Sequence, residues 1–257
     1  MVRRMALELA QRLERHSLRR WQRRAAEAEK ADLVHLRALR NRASALRKQL
    51  NRVIHVADGR LALPRVGADA IEAPIGADWV CRPAMWRGAI PVPGRTAVEA
   101  KTPLGGQVTI FHDAGHPEVA VRHVRNRRAD DLAPYGLRME VFDFDGTFLS
   151  AVVDLPDEAL AGLRRDSIVQ LNVMAEAERP VGLTARLNVR HGPNTEQMVQ
   201  PLGEGTGSFV AEFDLAYTGL DDRRIEGMWI DLILDRPWMN QITLRDVTVS
   251  RRPRAPL

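Results

Sequence analysis

Cysteine is almost absent: Cys81 stands alone among 257 residues. An internal disulfide is therefore excluded, and nothing points to an oxidising compartment. Lysine is nearly missing as well, at 3 of the 38 basic residues. No run of about 20 apolar residues occurs, so no transmembrane helix is expected. The basic start MVRRMALELAQRLERH lacks the unbroken apolar stretch of a signal peptide. A cytoplasmic location follows as the expectation, with peripheral membrane docking as its variant. Aromatic residues make up only 5%, so most rings are expected in the core or at its edges. Proline and glycine are missing from the first 57 residues, which leaves nothing there to interrupt a helix.

Helix formers fill that gap. Ala, Leu, Arg, Glu and Gln dominate residues 1–57, and Asp58-Gly59 supplies a stop signal. Leu36, Leu39, Ala43, Leu46, Leu50 and Val53 are spaced alternately three and four apart, as are Leu18, Trp21, Ala25 and Ala28, with Asp32 between the two sets. This narrow stripe is the pattern of a coiled-coil seam. A helix so thinly apolar needs a partner: a second copy, another protein, the body of its own chain or a membrane surface. Charge sharpens the point. Residues 1–52 carry a net +10 and the remainder a net −5. Arg12, Arg15, Arg19, Arg20, Arg23 and Arg24 surround Trp21. They suit phosphates of nucleic acid, an anionic lipid surface, or the charged exterior of a coiled coil.

Six prolines (Pro64, Pro74, Pro83, Pro91, Pro93, Pro103) then mark residues 58–103 as a connector. Its Trp79, Val80, Met85 and Trp86 are expected to pack on the body. From Gln107 the period changes to two. Val181, Leu183, Ala185, Leu187 and Val189 face one way while Thr184, Arg186, Asn188 and Arg190 face the other. Nine such half-buried runs predict an antiparallel β-sandwich over residues 104–257. Only PDEALAGL (156–163) suggests a helical excursion.

Three groups of residues invite chemistry. Asp143-Phe144-Asp145-Gly146-Thr147 resembles the nucleophile motif of haloacid dehalogenase phosphatases. The resemblance implies attack on phosphate at Asp143 and leaving-group protonation at Asp145. Against it, no lysine follows Lys101, and TFLSAVVDL after Gly146 has strand character where that family needs a helix. A hairpin is expected instead, Val141 opposite Ala151 and Met139 opposite Val153. His112, Asp113 and His116, near Glu118 and His123, are weak candidates for zinc, but the spacing matches no metal motif. They are expected at a surface hairpin, and no cofactor is implied. Trp86, Tyr217 and Trp238 are the ring candidates for a ligand, beside Tyr135. Asn194 in RHGPNTEQ and Asn240 in RPWMNQ are the amide candidates, on polar loops.

The closing segment NQITLRDVTVSRRP resembles the last strand of jelly-roll modules of the carbohydrate-binding type. The inward phase changes at Asp246, which predicts a bulge. The whole chain also resembles an uncharacterised bacterial family of unknown function with a basic helical N-terminus, a resemblance that implies no activity. The expected protein is mainly β, a jelly-roll-like antiparallel sandwich carrying a long basic N-terminal helix. Its expected role is non-enzymatic binding or scaffolding. The helix would form a homo-oligomer or dock on an anionic surface, and the sandwich would recognise a glycan or protein. The alternatives are a hydrolase of carbohydrate or phosphate, which needs paired acids in one cleft, and a nucleic-acid-binding protein.

Overall fold

The computed structural model describes residues 2–62, 71–128 and 130–254. It divides into two compact units, Met1–Ile54 and His55–Leu257. The first is helical, but the single helix expected is two: α1 (Val2–Ala28) and α2 (Leu33–Ala62). The break lies at Asp32, whose carboxylate accepts the backbone N–H groups of His35 and Val34 at 2.9 and 3.0 Å. That is N-cap geometry, which starts a new helix. The bond from His35 is the largest effect and, with that from Val34, holds the Asp32 carboxyl below its ordinary pKa against the opposing effect of burial. The expected stop at Asp58-Gly59 fails, and α2 runs on to Ala62. One glycine costs a helix only about 1 kcal/mol relative to alanine, too little to end a run of strong helix formers.

The second unit is a sandwich of two antiparallel sheets. Its elements are β1 (Trp79–Cys81), the single turn α3 (Ala84–Arg87), β2 (Gly94–Arg95), β3 (Thr102–Leu104), β4 (Val108–His112), β5 (Val119–Arg125), β6 (Tyr135–Val141), β7 (Phe148–Asp154), β8 (Ser167–Ala177), β9 (Gly182–His191), β10 (Asn194–Glu204), β11 (Gly207–Asp214), β12 (Ile225–Asp235) and β13 (Asn240–Pro253). One sheet runs β11-β8-β13-β6-β5-β2, with β1 also on β13. The other runs β10-β9-β12-β7-β4-β3. Alternate residues of every long strand meet in one core; Ile110, Leu137, Met139, Leu149, Leu187 and Ile230 are fully buried. The PDEALAGL stretch holds one 3-10 turn, Asp157–Ala159.

All nine expected strands form. The strand that alternation did not reveal is β10, which the sequence suggested was loop. It is an edge strand, largely exposed, with a register shift between Pro201 and Gly203. Edge strands are commonly polar and bulged because only one side is paired. The proline-rich segment belongs to the sandwich and contributes β1 and β2 to one sheet and β3 to the other. Met85 and Trp86 are core, while Val80 is exposed; Pro64 lies outside the described residues.

The bulge in β13 shows how that segment is fastened. Register shifts between Leu244 and Asp246, so backbone groups leave the ladder and need other partners. The Trp86 indole donates to the Leu244 carbonyl at 2.9 Å, and the Asn126 amide donates to the Arg245 carbonyl at 2.8 Å. The Arg245 guanidinium pairs with Asp131 and Asp130. One residue on, Asp246 receives both Nε and Nη2 of Arg82, at 2.8 and 2.9 Å. A Cβ on Gly136 would lie 2.9 Å from the Leu244 carbonyl oxygen, so the bulge presses directly on that strand.

Candidate functional site

Five strands of the second sheet build a cleft on its outward face. Strand alternation sends Phe111 of β4, Phe148, Ser150 and Val152 of β7, Trp229, Asp231 and Ile233 of β12, Arg186 and Asn188 of β9 and Gln197 of β10 to this side. The open space they line is about 450 Å³, within the usual range for a ligand site. Five adjacent strands at about 4.8 Å spacing make it roughly 19 Å across. Register fixes the rows. Gln197, Asn188, Trp229 and Asp154 are successive cross-strand partners, and so are Val199, Arg186, Asp231 and Val152.

The polar groups form a connected chain. Gln197 Nε2 donates to Asn188 Oδ1 at 3.1 Å, and Asn188 Nδ2 donates to Asp231 Oδ2 at 3.1 Å. Arg186 Nε donates to the same Asp231 oxygen at 2.6 Å. Asp231 and Asn188 are only 2% and 1% exposed, so the row is held rigidly from below while Gln197 stays exposed. The Ser150 hydroxyl is buried in the same face and has no hydrogen-bond partner among the described residues. Phe111, Phe148 and Trp229 are half-buried rings around these groups. Asp154, opposite Trp229, has its carboxyl pushed up by burial and then by the charge of Asp231.

The residues expected to bind a ligand are elsewhere and dispersed. Trp86 is fully buried and its indole N–H is spent on Leu244, so it offers no face to a ligand. Tyr135 stacks on His123 with ring centroids 4.6 Å apart. Tyr217 is 80% exposed, with Arg254 over its ring at 5.3 Å. Trp238 is 58% exposed in the loop between β12 and β13, at the other end of β13 from Arg254. Asn240 is buried and exchanges two 3.0 Å hydrogen bonds with the backbone of Arg179, a structural bracket. Asn194 is exposed and pairs with His191 where β9 turns into β10. None of these six lines the cleft. Of the two polar loops singled out in the sequence, RHGPNTEQ contributes one lining residue, Gln197, and RPWMNQ contributes none. The signal that was there is outward phase: in MWIDLILD, Trp229 and Asp231 alternate with the buried Met228, Ile230, Leu232 and Leu234.

The signature of DUF6478, a family of unknown function, spans residues 1–257. The chain belongs to that family. Its expected kinship with a family of unknown function is thereby met. No curated protein is significantly similar in sequence. Among solved structures, the enzymatically active domain of bacteriophage CBA120 tailspike protein 4 is similar at TM-score 0.39 and 9% identity, over 58% of this chain and 19% of that one. The xylan-binding CBM22-1 domain of Paenibacillus barcinonensis Xyn10C is similar at TM-score 0.38 and 10% identity, over 63% and 94%. A family 11 carbohydrate-binding module from Clostridium thermocellum, in complex with a β-1,3-1,4-mixed-linked tetrasaccharide, gives 0.35 and 11%, over 63% and 96%. The DUF6478 chain thus spans about a fifth of the tailspike's enzymatically active domain and nearly all of each module. Likeness at this level concerns the fold class and says nothing of a ligand.

The acidic strings have a structural role in this family member. The expected hairpin between β6 and β7 does not form, because the two strands lie in opposite sheets. Their facing residues are buried as expected, since strands stacked across a core and strands paired side by side bury the same alternate positions. The same correction applies to the histidine stretch, which crosses from β4 to β5 between sheets. These two crossings lie side by side: Glu118 N–H donates to the Asp143 carbonyl at 2.8 Å, and Phe142 N–H to the Glu118 carbonyl at 2.9 Å. Asp113 accepts the Thr147 hydroxyl and the N–H groups of Thr147 and Phe148. Asp145 accepts the His116 N–H at 3.1 Å. These bonds, led by the Thr147 hydroxyl for Asp113 and the His116 N–H for Asp145, lower both carboxyl pKa values. His112 is buried with Nε2 3.1 Å from the Val98 carbonyl, and His116 is exposed. No cluster of three or more His, Cys, Asp or Glu able to hold a metal ion occurs among the described residues. In α1, Arg12, Arg15, Arg19 and Arg20 are exposed, with Arg23 also on the surface and Arg24 over the Trp21 ring at 5.1 Å.

Proposed function

We propose that the sandwich is a non-enzymatic glycan-binding module and that the outward face of β10-β9-β12-β7-β4 is its binding surface. One observation carries this reading. A rigid row of hydrogen-bonding side chains (Gln197, Asn188, Asp231, Arg186) lies between half-buried rings in an open cleft. A sugar is amphipathic: its ring presents apolar C–H faces and its rim presents hydroxyls that donate and accept. Aromatic rings match the first, and amide and carboxylate groups the second. The breadth of the cleft suits an oligosaccharide lying along the sheet better than a single ring, and the Asp231–Arg186 pair neutralises its own charge, which suits a neutral glycan.

Native electrophoresis in gels containing soluble polysaccharides tests the reading, with xylan and mixed-linkage β-glucan in the panel. The full-length protein is expected to be retarded by at least one neutral polysaccharide. Trp229→Ala should weaken that retention by about 2 kcal/mol, roughly thirtyfold, as loss of a central ring does at other interfaces. Equal retention of wild type and variant would reject the site; no retention across the panel would reject the function.

A second reading, glycoside hydrolysis, has one observation in its favour. Asp154 and Asp231 are diagonal neighbours on the same face, the first with a raised pKa and the second paired with Arg186. A raised acid beside an ionised carboxylate is the division of labour in glycosidases. Release of reducing ends from a retained polysaccharide, lost in Asp154→Asn with binding intact, would establish it over simple binding.

A further inference from the structure

We infer that α2 is a docking helix for an anionic lipid surface. This inference is independent of the glycan cleft and rests on a different part of the chain. Between residues 33 and 54 α2 carries five arginines and one lysine and no acidic residue. At 100° per residue, Leu36, Leu39, Leu46, Leu50, Val53 and Ile54 fall within an arc of about 100°. The C-terminal part of the arc is uncovered: Leu46, Leu50, Val53 and Ile54 are 39%, 51%, 65% and 53% exposed, while Leu36 and Leu39 are half-buried. Arg42 borders one edge of it, and Arg47 and Arg40 border the other.

The charges choose the occupant. If the stripe formed a coiled coil with a second copy, Leu36, Ala43 and Leu50 would take the a positions and Leu39, Leu46 and Val53 the d positions. Arg40 and Arg47 would then stand at e and Arg42 at g. A parallel pair sets g against e and an antiparallel pair sets like positions together, so either arrangement faces arginine with arginine. No member of the stripe is polar, so nothing in it would fix the register of a partner helix. Nucleic acid would use the arginines and leave the aliphatic arc in water. An anionic bilayer surface uses both: the arc enters the acyl boundary, and arginine stems on its two edges bring their guanidinium groups up to lipid phosphates. No helix among the described residues is long and apolar enough to cross a membrane; this one lies along it.

The test is co-sedimentation of the full-length protein with vesicles of phosphatidylcholine mixed with phosphatidylglycerol, against vesicles of phosphatidylcholine alone. Binding is expected only to the anionic vesicles and should fall steeply as salt rises. Replacing Arg40, Arg42 and Arg47 together by glutamine should weaken it on the order of a hundredfold. Leu46→Gln with Leu50→Gln, which keeps helix propensity, should weaken it at least about tenfold. Equal binding to both vesicle types, or none to either, would overturn the inference. So would a double leucine variant that binds as well as wild type. A short DNA or RNA duplex that binds while vesicles do not would assign the helix to nucleic acid instead. A salt-resistant dimer that dissociates in the leucine variant would assign it to self-association.

Discussion

The pair Arg82–Asp246 joins positions 164 residues apart and fastens the proline-rich segment to the last strand. Arg82 follows β1, which pairs with β13 through Trp79 and Arg251. The two side chains are 3% and 10% exposed, so the Coulomb attraction and both hydrogen bonds operate away from solvent. Asp246→Ala removes one partner and leaves a guanidinium without its counter-charge in a nearly dry site. Breaking a buried pair in this way costs about 3–5 kcal/mol. With a urea m value of about 3 kcal/mol/M, the unfolding midpoint should fall by about 1–1.7 M. Replacing both groups, Arg82→Met with Asp246→Leu, removes charge and partner together and should recover most of the loss. Urea unfolding followed by near-ultraviolet circular dichroism reads the packing of the sandwich rings. A loss below about 1 kcal/mol for Asp246→Ala, or a double variant as unstable as the single one, would refute the buried-clamp argument.

Other expectations follow from the same geometry. Gly136→Ala should destabilise by about 2 kcal/mol, since its Cβ meets the bulge backbone, whereas Gly106→Ala meets nothing within 4 Å and should be neutral in the same melt. Asp113→Ala should lower stability by about 1 kcal/mol at neutral pH. Because the folded Asp113 pKa is depressed, its stabilisation is present above the ordinary carboxylate range and lost as pH falls through the folded value. The gap between wild type and variant should therefore narrow in melts taken at successively lower pH below the ordinary carboxylate range. Asp143→Asn should leave any magnesium-dependent phosphatase activity of a preparation unchanged; wild-type hydrolysis of a generic phosphate ester that the variant abolishes would contradict this.

Legibility in the sequence followed the range of the interactions. Period-two alternation reports burial of a strand's own residues, so Val181–Val189 and Phe209–Phe213 were readable without knowing their neighbours. The bulge at Asp246 was readable for the same reason, as a local change of phase. Strand partners were not. Val141 and Ala151 are both buried whether their strands pair within one sheet or stack between two, so alternation alone does not separate these arrangements. β10 escaped because its inward residues, among them Met198 and Leu202, are only half-buried and sit among polar neighbours, which blurs the alternation. The cleft escaped because Phe111, Ser150, Asn188, Gln197 and Trp229 come from five strands ordered by non-local pairing. Trp86 packs on the body as expected, but the partner that holds its indole, the Leu244 carbonyl, lies 158 residues away and has no local signal. In the helical unit, the Asp32 cap was visible as an interruption of the stripe.

The central claim is that a glycan lies on the outward face of the β9–β12 sheet. Nuclear magnetic resonance titration of isotope-labelled protein with a retained oligosaccharide tests it most directly. The account predicts that the Trp229 indole, the Gln197 and Asn188 side-chain amides and backbone amides of β7, β9 and β12 shift together along one binding curve, while the Trp86 indole stays fixed. Saturable shifts clustered instead around Tyr217, or around Trp238, with Trp229 and Gln197 unmoved, would contradict it.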